Sequence, residues 1–431
     1  KKAPAAKKAP AAKKAPAAKK APAAQKAPAA KKTAGKKTAG KKQPVARKPA
    51  PKREVLTPEE EAAAAAAVEQ AMQTRHAAEE QEPSTQGWEA ITAALTRVYG
   101  DQEPKHYGTL IKWAMGGPDP LDGLSAYEVE SPRPHWHIVG YGLSELYEKT
   151  SDIPDQSGWG FELTLRVTRE PGEEAPPMWA LNFLQNLARY VFNSGNVFAP
   201  GHHMDLNGPI AQGQETAIRA AVFAEDPTLP AIDTPHGRVS FVQVVGITED
   251  ELDAVVRWNC TSFLERLGQQ HPLWITDLQR GSILADPALK GEIEARIAEE
   301  GSSVGVIYVG GGREPGLVWR LEPEPALVIG AKYVPTLQAL LRGRTRRGEE
   351  FWLLGEDHRL HVLAGGPSAV GPDDGDAGCL NVTLPADQAA SLAATLAPTR
   401  GSYRAHGCPV LVEVIPTTIT NDKGEEVEVV G

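Results

Sequence analysis

The residues best suited by type to do chemistry are two histidines around a tryptophan, His135 and His137 on either side of Trp136, with His202, His203 and Asp205 further on. In a strand, residues i and i+2 point to one side, so two imidazoles could face a metal ion and a carboxylate could complete its shell. A metal-dependent enzyme is therefore one alternative function. The same histidines can equally hydrogen-bond within an aromatic core, and on that reading no metal and no cofactor is expected. Asp119 and Asp122 could pair as acid and base, but the prolines of GGPDPLD favour a turn, where aspartates bond backbone amides. Gly301 to Gly305, GSSVG, fits the GxSxG pattern of serine hydrolases. Its context is inverted, since a nucleophile elbow follows a strand and opens a helix, whereas here a helical pattern precedes and VIYV follows. Gly310 to Gly312 lack the lysine of a phosphate loop. The expectation is a protein with no catalytic residues, not an enzyme.

The elements around these residues alternate between helix and strand. A helix is expected over Trp88–Tyr99, then strands near Tyr107–Ala114 and over His135–Tyr141, and a half-buried strand in which Phe161, Leu163, Leu165 and Val167 alternate. After Pro176-Pro177, the positions Trp179, Phe183, Leu187, Tyr190 and Val191 share one helical face. Strands at Val239–Val245 and Trp274–Thr276 bracket a helix opened by a capping box of Thr248 and Glu251. A helix around Asp286–Glu300 and a strand at Ser303–Val309 close this unit. A smaller unit follows, with strands at Ala326–Tyr333, Glu350–Leu354, Arg359–Val362, Cys379–Thr383 and Val410–Ile415 and a helix at Ala386–Leu396. The fold class expected is α+β, mixed α/β, in two domains, each a sheet packed with helices.

Charge divides the chain differently. The first 53 residues hold seventeen Lys, two Arg and no acid, a charge of +19, while the rest hold 27 basic against 55 acidic residues, a charge of −28. The basic part is repetitive: KKAPAA four times, QKAPAA once, then KKTAG twice. Without large apolar residues, and with regular proline, it cannot offset the entropy of folding and is expected to be disordered. Its lysine pairs, Lys1-Lys2, Lys7-Lys8, Lys13-Lys14, Lys19-Lys20, Lys31-Lys32 and Lys36-Lys37, are candidates for non-specific DNA binding by counterion release. A nucleoid-associated protein acting through this tail is the second alternative function. Next, Thr57-Pro58-Glu59-Glu60 opens an alanine-rich helix with few apolar side chains, expected to be a solvated spacer. The resulting division is a disordered basic repeat tail over 1–53, a helical acidic connector over 54–85, a first domain over 86–309, a Gly/Pro-rich linker over 310–325, a smaller domain over 326–418 and an acidic loose end over 419–431. Cys260, Cys379 and Cys408 form no CxxC pair, which argues against a disulfide framework or a cysteine zinc site. No apolar stretch approaches the roughly 18 residues that span a bilayer, nor does the start resemble a secretion signal. A cytoplasmic monomer without membrane contact is expected, associated with the nucleoid if the tail binds DNA.

The run KWAMGGPDPLDGLSAYEVESPRPHWHIVGYGLSELY from Lys112 to Tyr147 resembles the Suppressor of fused family. The resemblance continues in order through GWGFELTLRVTRE from Gly158, APPMW from Ala175, LARYVF from Leu187, EDP from Glu225, TPHGRVSFVQVVGIT from Thr234 and PLWITDLQRG from Pro272. In the smaller unit it rests on LLRGRTRRGEEF, YRAHG and VLVEVIP, and leaves no room for the long modifiable insert of the animal members. What the resemblance implies is a two-domain clamp that closes on an extended peptide as an added strand, the peptide belonging in animals to Gli-type zinc-finger transcription factors held inactive. Tyr190, Phe198 and Glu225 match positions lining that peptide site. His202 stands where the animal members place an aspartate of an acidic pocket, so Gli-type recognition is not expected to carry over.

The expected partner is thus a protein or extended peptide, bound by Tyr190, Phe198, His202 and Glu225. The Ala-, Gly- and Arg-rich composition suggests a bacterial source, and bacterial relatives are proposed as immunity proteins that block toxins. An acidic body suits a basic toxin. Removing residues 1–53 is expected to abolish retention on a DNA column while leaving capture of the protein partner intact. Equal elution salt for the full and shortened chains would end the nucleic-acid role.

Overall fold

In the computed structural model, residues 84–111, 113–310, 316–420 and 425–431 are described. The basic tail, almost all of the acidic connector and the lysine pairs lie outside them. The described residues fall within one compact unit, Gln81–Gly431. Among them no helix is long and apolar enough to cross a membrane.

The first sheet has eight strands: β1 (Lys105–Gly108), β2 (Gly123–Val129), β3 (His135–Tyr141), β4 (Gln156–Thr168), β5 (His203–Asp205), β6 (Ile218–Glu225), β7 (Ile232–Thr234) and β8 (Gly237–Thr248). They are ordered β1-β2-β3-β4-β8-β6-β5, with β7 pairing beside β8. Only the β4–β8 pair is parallel, so β4 and β8 are the centre of the sheet. Helix α1 (Gln86–Tyr99) and helix α2 (Met178–Ser194) cover opposite faces. Phe161, Leu163, Leu165 and Val167 pack with Leu184, Leu187 and Val191 of α2. On the other face Ile91 and Leu95 of α1 pack with Val139, Tyr141 and Phe241. Further along that second face, Val222, Val245 and Ile247 meet α3 (Glu249–Arg257), α4 (Cys260–Gln270) and α5 (Pro287–Glu300).

Several expectations need correction. β4 is not half-buried, because helices cover both faces and Glu162, Thr164 and Arg166 are enclosed along with their apolar neighbours. The strand expected near Tyr107–Ala114 ends at Gly108, and Trp113–Met115 is a 3-10 turn. The helix opened by Thr248 and Glu251 has the capping box but breaks at Trp258, and Asn259 recaps α4 through its side chain. Trp274–Thr276 contributes one bridge, Val167 to Thr276, instead of a strand.

The remaining chain builds a second core. Strands β9 (Val306–Tyr308), β10 (Leu317–Arg320), β11 (Ala326–Gly330), β12 (Phe351–Leu354), β13 (Arg359–Ala364), β14 (Ala369–Asp373), β15 (Asp376–Leu384), β16 (Gly401–Tyr403) and β17 (Leu411–Ile415) form two sheets, β10-β11-β17-β16 and β14-β15-β13-β12-β9. With α6 (Val334–Gly343) and α7 (Ala386–Thr395) they enclose one apolar cluster. The Gly/Pro-rich stretch is not where the chain passes from one core to the other. β9, which precedes it, pairs with β12 in the second group, and β10 lies inside it. Glycine and proline mark irregular backbone generally, wherever it falls. The tail end is also more ordered than its acidity suggested: β18 (Thr417–Thr420) pairs with β19 (Glu426–Val430), using the period-2 pattern of EVEVV.

The passage between cores is at Gly301 to Ser303. Gly301 has φ +65°, and a Cβ on Gly343 of α6 would sit 2.2 Å from the Ser302 carbonyl oxygen. The arginines of RGRTRRG clasp this crossing: Arg344 donates to Ser303 O at 2.8 Å, Arg346 to Glu299 O at 2.9 Å and Arg347 to Ser302 O at 2.6 Å. These carbonyls lie at and just beyond the end of α5, where a helix leaves its oxygens unpaired. A Gly343→Ala substitution should therefore cost about 1–3 kcal/mol by overpacking, seen as a lower urea midpoint. An unchanged midpoint would show that the crossing gives way.

Candidate binding site

Three aromatic rings form a ladder from the core to the surface. Phe223 of β6 is buried, Phe198 stacks on it at 4.1 Å between centroids, and Tyr190 stacks on Phe198 at 5.6 Å. The order follows from the local sequence. Gly195 stops α2 with a left-handed residue at φ +75°, where a side chain would be strained, and its N–H bonds Val191 O at 2.9 Å. The chain then turns back, so that Phe198 lies beneath the Tyr190 ring. Asn196 Nδ2 donates to the Tyr190 hydroxyl at 2.9 Å, and the ring remains 39% exposed.

Beside the ladder is a shallow open cavity of about 250 Å³, lined among others by Trp159, Phe161, Phe198, Arg238, Ser240 and Val242. It lies where β4 and β8 part: from Gln156 to Phe161 β4 advances five residues while β8 advances only from Arg238 to Ser240. Every lining residue falls between 155 and 242, and the second core contributes none. Trp159 meets Phe192 at 5.7 Å, and Phe192 meets Trp113 at 5.3 Å. Leu110, Ile111, Met115 and Val197 are exposed nearby in sequence. Of the four residues expected to bind a partner, Tyr190 and Phe198 are brought together directly. Glu225 pairs with Val242 across β6 and β8, so its side chain projects from the same face as the cavity without lining it. His202 is exposed; its backbone carbonyl accepts from Phe223 N at 2.9 Å, placing it at the start of edge strand β5.

The other chemical candidates have structural partners. Asp119 pairs with Arg189, and Asp122 accepts from the Tyr147 hydroxyl at 2.6 Å. Ser303, the serine of the GxSxG pattern, donates through Oγ to Trp258 O at 3.4 Å, and GSSVG sits between α5 and β9, helix before strand. His135 Nδ1 donates to Arg133 O at 2.8 Å, and burial pushes its pKa down to about 4. Among the described residues no group of three or more His, Cys, Asp and Glu is arranged to hold a metal ion.

His137 belongs to a network that the sequence did not disclose. Asp226 is fully enclosed and accepts from Arg166 Nη1 at 2.7 Å and Nη2 at 3.0 Å, Thr164 Oγ1 at 2.7 Å, His137 Nε2 at 3.0 Å and the backbone N–H of Thr228 and Leu229. Arg166 also donates to Gln243, and Gln243 donates to Leu273 O at 2.8 Å. Burial would raise the Asp226 carboxyl, but its charged and hydrogen-bonding neighbours hold it far below the usual range. Burial and the Arg166 charge lower His137 to about 4, so it is neutral, with the proton on Nε2 and Nδ1 accepting from the Tyr99 hydroxyl. The alternation of β4 points Arg166 away from the apolar face, and only α1 packing over that side encloses it.

The sign of the pH effect follows. A histidine near 4 when folded and 6.5 when unfolded contributes full stability above pH 6.5 and loses it as pH falls towards 4. The span corresponds to about 3 kcal/mol. The difference in urea-unfolding free energy between the wild type and His137→Gln should shrink by that order between pH 7 and 4. A constant difference would show that His137 is not held neutral.

Residues 117–281 match the family model for Suppressor of fused protein. Over 235 residues, 51% of this chain, the sequence is 38% identical to the human Suppressor of fused homolog and equally to that of mouse. The match covers 48% of each, so the chain spans about half the length of the curated relatives it matches. The crystal structure of Drosophila Suppressor of Fused superposes with a TM-score of 0.64 at 22% identity, covering 77% of this chain and 97% of that one, which establishes a shared fold. Apart from Tyr99, the buried network, the aromatic ladder and the cavity beside it fall within residues 117–281, the span that matches the Suppressor of fused family model.

Proposed function

We propose that the protein is a non-enzymatic binding module that holds an extended polypeptide partner against the first sheet and sequesters it. The observation that carries this is the Tyr190–Phe198–Phe223 ladder beside an open cavity. A tyrosine that stays half out of the core while stacked from below is preorganised, and rigid exposed aromatics are common anchors of binding energy. The Trp113–Phe192–Trp159 row lengthens the apolar surface well beyond what one small ligand needs. Backbone pairing at the short edge strand β5, next to His202, gives an extended guest its hydrogen bonds, while the cavity selects its side chains. The second core, joined through Gly301 to Ser303, then closes over the guest as the other half of a clamp.

The partner's charge is part of the proposal. Outside the first 53 residues the chain carries −28, which attracts a basic protein such as a toxin nuclease, and immunity against such a toxin is the biological role that fits. The Lys-rich tail adds a separate, salt-sensitive attachment to nucleic acid.

Crosslinking with mass spectrometry in native cells identifies the partner. Tyr190→Ala should then lower its affinity at least tenfold with little change in melting temperature, since the ring is partly exposed. Undiminished affinity in a folded Tyr190→Ala variant would move the site elsewhere.

A further inference from the structure

On the opposite face of the first sheet from the aromatic ladder, a groove opens between the last turns of α4 and the turn that follows it. Its volume is about 180 Å³, and it is lined by Pro227, Leu264, Glu265, Gly268, Leu273 and Trp274. Leu273 and Trp274 stand one after the other in the left-handed region, at φ 56° and 53°, a conformation costly for residues with side chains. Three hydrogen bonds hold them there: Gln243 Nε2 donates to Leu273 O at 2.8 Å, Trp274 N to His271 O at 2.9 Å and Trp274 Nε1 to Leu264 O at 2.8 Å. Gly268 makes room for the indole, since a Cβ there would lie 3.1 Å from its nitrogen. Both side chains stay half-buried and form an apolar wall beside α4. The one charge lining the groove is Glu265, which is exposed and has no hydrogen bond or ion pair among the described residues. The nearby cations are already taken: Arg266 pairs with Glu292, Arg133 with Asp277 and Arg280 with Glu251. The last turn of α4 carries no basic residue, so the partial negative charge of its C-terminus adds to that of Glu265.

We infer that this groove takes a lysine or arginine side chain of a basic protein partner, its methylene stem against Leu273 and Trp274 and its charged head at Glu265 and the end of α4. Long cationic side chains are apolar along the stem and charged at the tip, and an aromatic wall adds attraction for the cation. An apolar side chain of the same length would gain nothing from Glu265, and an acidic one would be repelled. The charge of −28 outside the first 53 residues draws a basic protein to the surface without choosing where it lands. Groove and carboxylate together make that choice. The contact belongs to a different layer from the ladder and does not rest on the peptide reading above.

Capped single-residue probes titrated into the full chain at physiological salt test the inference: the N-acetyl N-methylamides of lysine, arginine, norleucine and glutamate. The readout is the indole N–H proton resonance of Trp274, assigned by its loss in Trp274→Phe. The lysine and arginine probes should shift it saturably and bind more tightly than norleucine by about threefold or more, as an exposed ion pair and a helix end together allow. The glutamate probe should leave it in place. Glu265→Gln, a change at an exposed position, should bring lysine down to the norleucine level at an unchanged melting temperature. Tyr190→Ala should leave every shift as it is. Equal affinities for lysine and norleucine, or a lysine preference that survives Glu265→Gln, would overturn the assignment of the cation to Glu265. No saturable shift with any probe would overturn the groove as a site, and shifts that vanish in Tyr190→Ala would overturn its independence from the ladder.

Discussion

The first sheet is organised around the contact between Arg166 and Asp226. Taking both ions out of water costs several kcal/mol each, and that is offset only because every polar atom finds a partner: Thr164, His137, Gln243, Thr228 and two backbone amides. The pair therefore acts more as a specification than as a store of stability. Its members come from β3, β4, β8, the segment after β6 and, through Tyr99, helix α1. A one-residue slip in any of these strands would put an apolar side chain where a charge is needed and a charge where a helix packs.

That constraint also positions the proposed binding surface. Asp226 is drawn inward by Arg166, and its neighbour Glu225, the last residue of β6, is left exposed on the opposite face beside Val242. The same central strands separate near Gln156, opening the space that Phe198 and Tyr190 flank. A second buried pair performs a similar service for the helical layer. Glu251 caps α3 through Thr248 N and accepts both Arg280 guanidinium nitrogens at 2.7 Å, tying LQRG to the start of that helix. The proposed binding surface is thus backed by buried, hydrogen-bonded side chains.

Much of this could be read from the residues. His135–Tyr141 as a strand, Thr248 and Glu251 as a capping box, and the α5 helix all appear where pattern and capping chemistry place them. Tyr190 and Phe198 were named from motif resemblance and lie stacked together. The misses share a cause: period-2 alternation tells which residues share a face but not whether the other face is covered. A half-buried β4 leaves Glu162 and Arg166 facing water, whereas both are enclosed, with α1 over their side of the sheet. Gly/Pro content likewise located irregular backbone over 310–325 but not the passage between cores, which Gly301 and three arginines define.

The sequence by itself determined the elements and their apolar faces, the split between a basic repeat and an acidic remainder, and the family likeness, because these depend on residue type and near-neighbour spacing. Tertiary structure alone decided that Asp226 is paired internally while Glu225 is exposed, and that His137 is a neutral link between Asp226 and Tyr99. The physical reason is burial: whether a charge is enclosed or open to solvent depends on which helix crosses which face, and residues far apart in the chain settle that.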